Sequence, residues 1–260
     1  MRDPADHPAA EPAEGIDATA PDVVRGGPQV IPRPADWRPG APAPWAHLPI
    51  GQRRPSLTDV RRALAEAPPA RRVAIEADDV RASAVLAPIY AHRGEPYVVL
   101  TRRSWDMRSH RGEVSFPGGG WEEGDVDLMA TARRETCEEI GIAGDGIEVV
   151  GELDHLTTVS SRSFIVPYVG ILPGRPDTRP DPREVEEVLH VGLAELVADG
   201  VFHEEVWRRG DIERPLWFFE LVGDTVWGAT AAMLRQLLAL VTGTDPGVPP
   251  PPWDAPRGGR

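Results

Sequence analysis

The sequence predicts an α/β domain flanked by proline-rich ends, on three observations. Between residues 56 and 243, apolar β-rich runs are interleaved with runs that carry helical periodicity. Prolines crowd residues 1–55 and 244–260, which leaves the middle of the 260-residue chain for one core of ordinary size. At the centre, Gly118-Gly119-Gly120 opens a stretch whose helix-patterned part ends in Arg134-Glu135-Thr136-Cys137-Glu138-Glu139.

Composition narrows the function classes. The formal net charge of −13 argues against a general nucleic-acid or anionic-membrane surface, so the expected partner is a small molecule. A local basic patch and a metal would still admit an anionic one. Lysine and asparagine are absent, so arginine is the cation everywhere outside histidine and its abundance alone says little. Cys137 is the one cysteine, which rules out an intramolecular disulfide; its place in the acidic helix suggests a small buried residue. No signal-peptide-like apolar run follows Met1, and no run is long enough for a membrane span, which suggests a soluble cytoplasmic protein.

Residues 1–55 mix Pro, Ala, Gly and Asp and are expected as a mostly mobile arm, with Trp37, Trp45, Leu48 and Ile50 as the exceptions able to dock. Ser56-Leu57-Thr58-Asp59 reads as a capping box that starts a helix over 57–67, stopped by Pro68-Pro69. Residues 83–91 and 96–101 are β-rich runs about a hairpin-like turn at His92-Arg93-Gly94-Glu95. A polar loop over 102–112 then carries four arginines, and a short strand over 113–116 leads to the glycines. Strands are expected over 147–155, 163–172, 184–191 and 216–221; Pro167 marks a bulge or a local edge in the second of these. A short helix is expected over 192–199 and a core-packing amphipathic helix over 227–241, with a proline-rich tail after it. His110, His155, His190 and His203 are scattered without metal-ligand spacing.

The chemistry lies in residues 118–142. Asp125 or Asp127 can cap the helix, Leu128, Met129, Ala132, Thr136 and Ile140 can face the core, and Gly141 suits the position after the last turn. Glu135, Glu138 and Glu139 then share another side. Carboxylates at these spacings repel, and they sit at the negative end of the helix dipole. A divalent cation among them resolves both costs, because hard cations take oxygen ligands. The glycines before the helix let backbone approach such a site closely.

These residues closely resemble the Nudix box, G-x5-E-x7-R-E-U-x-E-E-x-G-U with U a bulky apolar residue. Residues Arg134 to Ile142 fit its second half, with Thr136 at one U position. Counted from Gly119, one extra residue precedes Arg134 and Asp125 or Asp127 replaces the usual glutamate; counted from Gly120 the spacing is kept but Val126 takes that place. The longer form resembles the coenzyme A pyrophosphatase subgroup, whose signature L-T-x-R-S-x3-R-x3-G-x3-F-P-G-G is matched by Leu100-Thr101, Arg103-Ser104, Arg108, Gly112 and Phe116-Pro117-Gly118-Gly119. Gly120 departs from the basic residue expected after the two glycines.

The resemblance implies an α/β/α sandwich with a mixed sheet, and a Mg²⁺- or Mn²⁺-dependent pyrophosphohydrolase. It implies a metal site on Glu135, Glu138, Glu139 and the backbone of Gly119, with Arg134 orienting the carboxylates. Glu135 is the first candidate for general base, and Glu184, Glu186 or Glu187 the reserve. The implied substrate is a nucleoside-diphosphate-linked molecule of coenzyme A type, with Arg102, Arg103, Arg108 and Arg111 as candidate phosphate contacts. ADP-ribose, dinucleotides or nucleoside triphosphates are the alternative substrates, and a non-catalytic ligand sensor is the reading from another class.

Overall fold

The computed structural model describes residues 23–72, 81–158 and 163–247. In chain order the strands are β1 (Arg38–Pro39), β2 (Arg81–His92), β3 (Glu95–Arg103), β4 (Val114–Ser115), β5 (Gly118–Gly120) and β6 (Glu148–Glu152), then β7 (Leu156–Thr158), β8 (Ser163–Ile171), β9 (Val185–Gly192), β10 (Phe202–Arg209), β11 (Ile212–Glu220) and β12 (Thr225–Trp227). The α-helices are α1 (Leu57–Glu66), α2 (Leu128–Ile140), α3 (Leu193–Leu196) and α4 (Gly228–Val241).

An eight-stranded mixed sheet is built around β2 and β8, which run parallel from Arg81↔Ser163 to Ile89↔Ile171. The apolar run 84–90 of β2 is nearly all buried, as a strand covered on both faces requires. On one face Ala84, Leu86 and Tyr90 of β2 and Val99 of β3 pack with Ala132 and Ile140 of α2. On the other, Ile89, Val98, Leu100 and Val169 meet Val60 and Leu64 of α1, Leu234, Leu237 and Leu238 of α4, and Phe219 of the second sheet. The result is the expected α/β/α sandwich. The second sheet, ordered β1-β10-β11-β12, stands beside the α4 layer.

Local signals worked where one residue settles the backbone. Ser56 accepts from Asp59 N while Asp59 accepts from Ser56 N, so the capping box forms as expected. Pro167 lies in β8 between the stretches paired to β6 and β7, a local edge where its missing N–H costs no ladder bond. The glycine triplet, expected as a loop, is instead the edge strand β5 antiparallel to β2. Strands β10 and β12 were not foreseen; charged residues in β10 hid its alternation, and β12 is three residues long. Cys137 is exposed, contrary to expectation: it lies outside the buried face of α2, which Ala132, Thr136, Glu139 and Ile140 form.

Residues 23–55, expected as a mostly mobile arm, pack along the domain. Trp45 is 1% exposed and its ring lies 5.5 Å from Phe202 and 6.3 Å from Phe219. β1 pairs with β10, and Arg53 is buried against Ala46 O, Leu48 O and Asp199. Few apolar residues are needed, because hydrogen bonds to the second sheet do much of the docking. Beyond α4, Arg235 and Arg71 bond Pro246 O and Gly247 O. The proline-rich stretches 1–22 and 248–260 lie outside the described residues.

Candidate active site

Three elements converge at the C-terminal half of α2. β5 supplies a strand without side chains: a Cβ on Gly119 would lie 2.5 Å from Glu135 Cδ, so only glycine lets that carboxylate rest against the backbone. The loop between β8 and β9 crosses the helix end, with Arg179 N donating to Ile140 O and Asp181 N to Glu139 O. β3 brings Arg103 in from its last position. Asp127 caps the helix by accepting from Ala130 N, and Gly141 ends it with φ of +74°.

The carboxylates do not all sit alike. Glu139 is 5% exposed; its Oε2 accepts from Gly118 N at 3.2 Å and its Oε1 lies 3.9 Å from Arg103 Nη1. Burial pushes its pKa up to about 8 against the pull of Gly118 and Arg103, and the charges of Glu135 and Glu184 push the same way. Glu135 is also raised by burial, opposed by Arg134 and reinforced by Glu138 and Glu184. Glu138 turns outward, 59% exposed, with Oε2 2.9 Å from Arg134 Nη1. The structure thus brings together Glu135 and Glu139, with Glu184 near both, while Glu138 lies against Arg134.

Arg134 is the hub of the outer side. It bonds Asp125 through Nε and Nη2 at 3.0 Å each, Glu135 at 3.0 Å, and the carbonyl of Gly120 at 2.9 Å. Asp125, which also accepts from Thr131, is held far below the usual carboxylate range by these bonds. The choice left open between Asp125 and Asp127 resolves by role: Asp127 is the cap and Asp125 locks Arg134. Sequence spacing could not separate them because both precede the helix within three residues.

Of the candidate phosphate contacts, Arg103 alone is placed beside the acidic pair. Arg102 points to the opposite face of β3 and pairs with Glu187 and, at 2.9 Å, with Asp224. That leaves Glu187 on the far side as well. Arg108 is exposed on the 104–112 loop, and Arg111 Nε bonds Met107 O within that loop. Gly112 closes the loop with φ of +65°, and a Cβ there would meet the Trp105 ring at 2.3 Å. Strand alternation on β3 was the available signal for separating Arg102 from Arg103.

Among the described residues no group of three or more His, Cys, Asp or Glu is arranged as an ion cage. Glu135 and Glu139 nonetheless fit a hard divalent cation. Both offer oxygen, and Glu139 is a desolvated carboxylate with one backbone donor and a distant guanidinium to meet its charge. Glu138 is turned outward and shares Arg134 Nη1 with Glu135.

Residues 80–210 match the NUDIX domain family. A Photorhabdus laumondii protein named uncharacterized Nudix hydrolase NudL is 37% identical over 171 residues, covering 65% of this chain and 88% of that one. An Escherichia coli O1:K1 protein of the same name is 38% identical over 167 residues, covering 64% and 85%. Among solved structures, a MutT/nudix family protein from Enterococcus faecalis aligns with a TM-score of 0.46 at 16% identity, covering 64% of this chain and 63% of that one. With a matched domain running from β2 through β10 and relatives covered over most of their length, this chain belongs to the Nudix family.

Proposed function

We propose that this Nudix protein hydrolyses the pyrophosphate bond of coenzyme A or its acyl derivatives, giving 3′,5′-ADP and 4′-phosphopantetheine. Water oxygen would bond to one phosphorus, the bridging P–O bond would break, and the departing phosphate would keep the bridging oxygen. The observation that carries the reading is buried Glu139 with partly buried Glu135 against a side-chain-free strand, with Arg103 beside Glu139.

Glu135 and Glu139 would hold Mg²⁺ or Mn²⁺, with Glu138 and the backbone of Gly119 as further donors. The bound ion would supply positive charge against the phosphoryl oxygens and the leaving phosphate. Arg134 fixes Glu135 through a 3.0 Å bond, so the carboxylate is oriented before substrate arrives. The water proton would pass to a carboxylate at this end. Glu135 and Glu184 are the two candidates that fit, and Glu184→Gln separates them: a loss of turnover with metal affinity kept assigns the base to Glu184.

Arg103 supports an anionic substrate. Its Nε is buried without a hydrogen-bond partner among the described residues, and its Nη1 only approaches Glu139, so the guanidinium has donors to spare. The match of Leu100 to Gly119 with the coenzyme A signature is what favours this substrate over ADP-ribose or a nucleoside triphosphate. A panel of these compounds with Mg²⁺ or Mn²⁺, products identified by mass, tests it. Release of 4′-phosphopantetheine well above ADP-ribose cleavage is expected. Preference for ADP-ribose would overturn the substrate, and no turnover by folded protein would move the reading to a ligand sensor.

A further inference from the structure

Trp121, directly after β5, is 48% exposed. Trp121 N donates to Ala82 O at 2.9 Å, which continues the ladder in which Gly120 faces Ser83 and Gly119 faces Ala84. Side chains alternate along such a strand, so positions 119 and 121 leave it on the same face. Gly119 is where an added Cβ would run into the Glu135 carboxylate. The indole therefore projects on the carboxylate side, roughly 7 Å further along the strand.

The ring is also held. Its Nε1 donates to Asp125 O at 3.1 Å, and Asp125 in turn is bonded to Arg134, which orients Glu135. Glu122 N, the next backbone donor, is taken by Asp125 Oδ2. A partly exposed aromatic ring is thus tethered about two residues along the strand from the point where Gly119 meets Glu135. Its one polar atom is satisfied from below.

We propose that Trp121 is the platform on which the nucleobase of the substrate stacks. The proposal takes from the pyrophosphatase reading only that the ligand is a nucleotide. Stacking between a base and an aromatic ring is tolerant of base identity and strong enough to set affinity. It would explain how the site distinguishes a nucleotide from a bare phosphate.

The test is equilibrium binding of AMP and of inorganic phosphate to the full chain, neither ligand having a pyrophosphate bond to cut. The intact protein is expected to bind AMP about tenfold or more tightly than phosphate. Trp121→Ala should lose most of that preference while phosphate affinity stays within about twofold. Trp121→Phe keeps a ring and lacks the N–H, so it should retain the preference and separate stacking from the bond to Asp125. Unchanged AMP affinity in Trp121→Ala, an equal loss for both ligands, or no preference in the intact protein would overturn the proposal. Failure of the pyrophosphatase reading would show differently, as no turnover across the substrate panel with the AMP preference intact.

Discussion

Glu139 illustrates how a single residue trades stability against chemistry. Its carboxylate is buried, and among the described residues one N–H and a guanidinium at 3.9 Å are the close support it has. Without a cation, ionising it costs free energy that a neutral side chain avoids. Glu139→Gln keeps an oxygen for Gly118 N and removes the charge. It is therefore expected to melt at the same temperature or higher than the parent in chelator, to lose the rise in melting temperature produced by Mg²⁺, and to lower turnover by roughly 100-fold or more. Near-normal turnover in this variant would remove the case for the metal site. The glycines offer a paired contrast. Gly119→Ala would drive a methyl group into Glu135, whereas nothing lies within 4 Å of a Cβ at Gly120. Turnover should fall about tenfold or more in the first variant and stay near normal in the second; equal effects would mean that Glu135 does not depend on the close approach. Much of this was legible beforehand, because like charges at i,i+3 and i,i+4 must be explained wherever they occur. The split between buried Glu139 and outward Glu138 was not, since it depends on which turn of α2 the β8–β9 loop crosses.

At the scale of elements, the arginine-rich loop between β3 and β4 is fastened from both ends by a segment that looked dispensable in sequence. Gln29 is 8% exposed and fully used: its Nε2 donates to Gly112 O at 3.0 Å and to Asp224 Oδ1 at 2.7 Å, and its Oε1 accepts from Thr225 N at 2.8 Å. Asp224 also receives Arg102 Nη1 at 2.9 Å. One glutamine thus joins the N-terminal segment, the turn before β12 and both ends of the loop that begins after Arg103. Gln29→Ala should leave buried acceptors short of donors and cost about 1–3 kcal/mol of stability. Hydrogen exchange should show the consequence locally, with amides 104–112 exchanging faster and those of β2 unchanged; uniform protection would show that the loop holds without the clamp. The sequence could not disclose this clamp, because glutamine in a proline-rich segment carries no periodic signal and its partners lie 83 to 196 residues away. The central sheet was legible for the opposite reason. Its apolar runs are long, local and bounded by turn residues.

Across the whole molecule, buried titratable groups away from α2 bear on how stability responds to pH. Glu195 of α3 faces Arg25 at 3.8 Å, yet burial outweighs that attraction and raises its pKa to about 7. His190 on β9, bonded to the Tyr90 hydroxyl at 2.8 Å, is pushed down to about 4 by burial first and by Arg175 second. The signs oppose one another. Between its ordinary value near 4.5 and about 7, Glu195 holds more proton in the folded state than in the unfolded one, so stability falls as pH rises through that window. His190 holds less proton when folded between about 4 and its ordinary 6.5, so its contribution falls as pH drops through that window. The two slopes oppose each other where they overlap, Glu139 adds a slope of the same sign as Glu195, and single variants should separate them. Glu195→Gln is expected to match the parent at pH 4 and to exceed it in urea midpoint above pH 7, where the parent carries a buried charge that Arg25 does not fully offset. His190→Gln is expected to match the parent above pH 7 and to lose less stability on acidification towards pH 4. If Glu195→Gln were instead less stable than the parent at pH 8, the Arg25–Glu195 pair would be a net support that holds the N-terminal segment to α3, and the ordering of burial over attraction would be reversed.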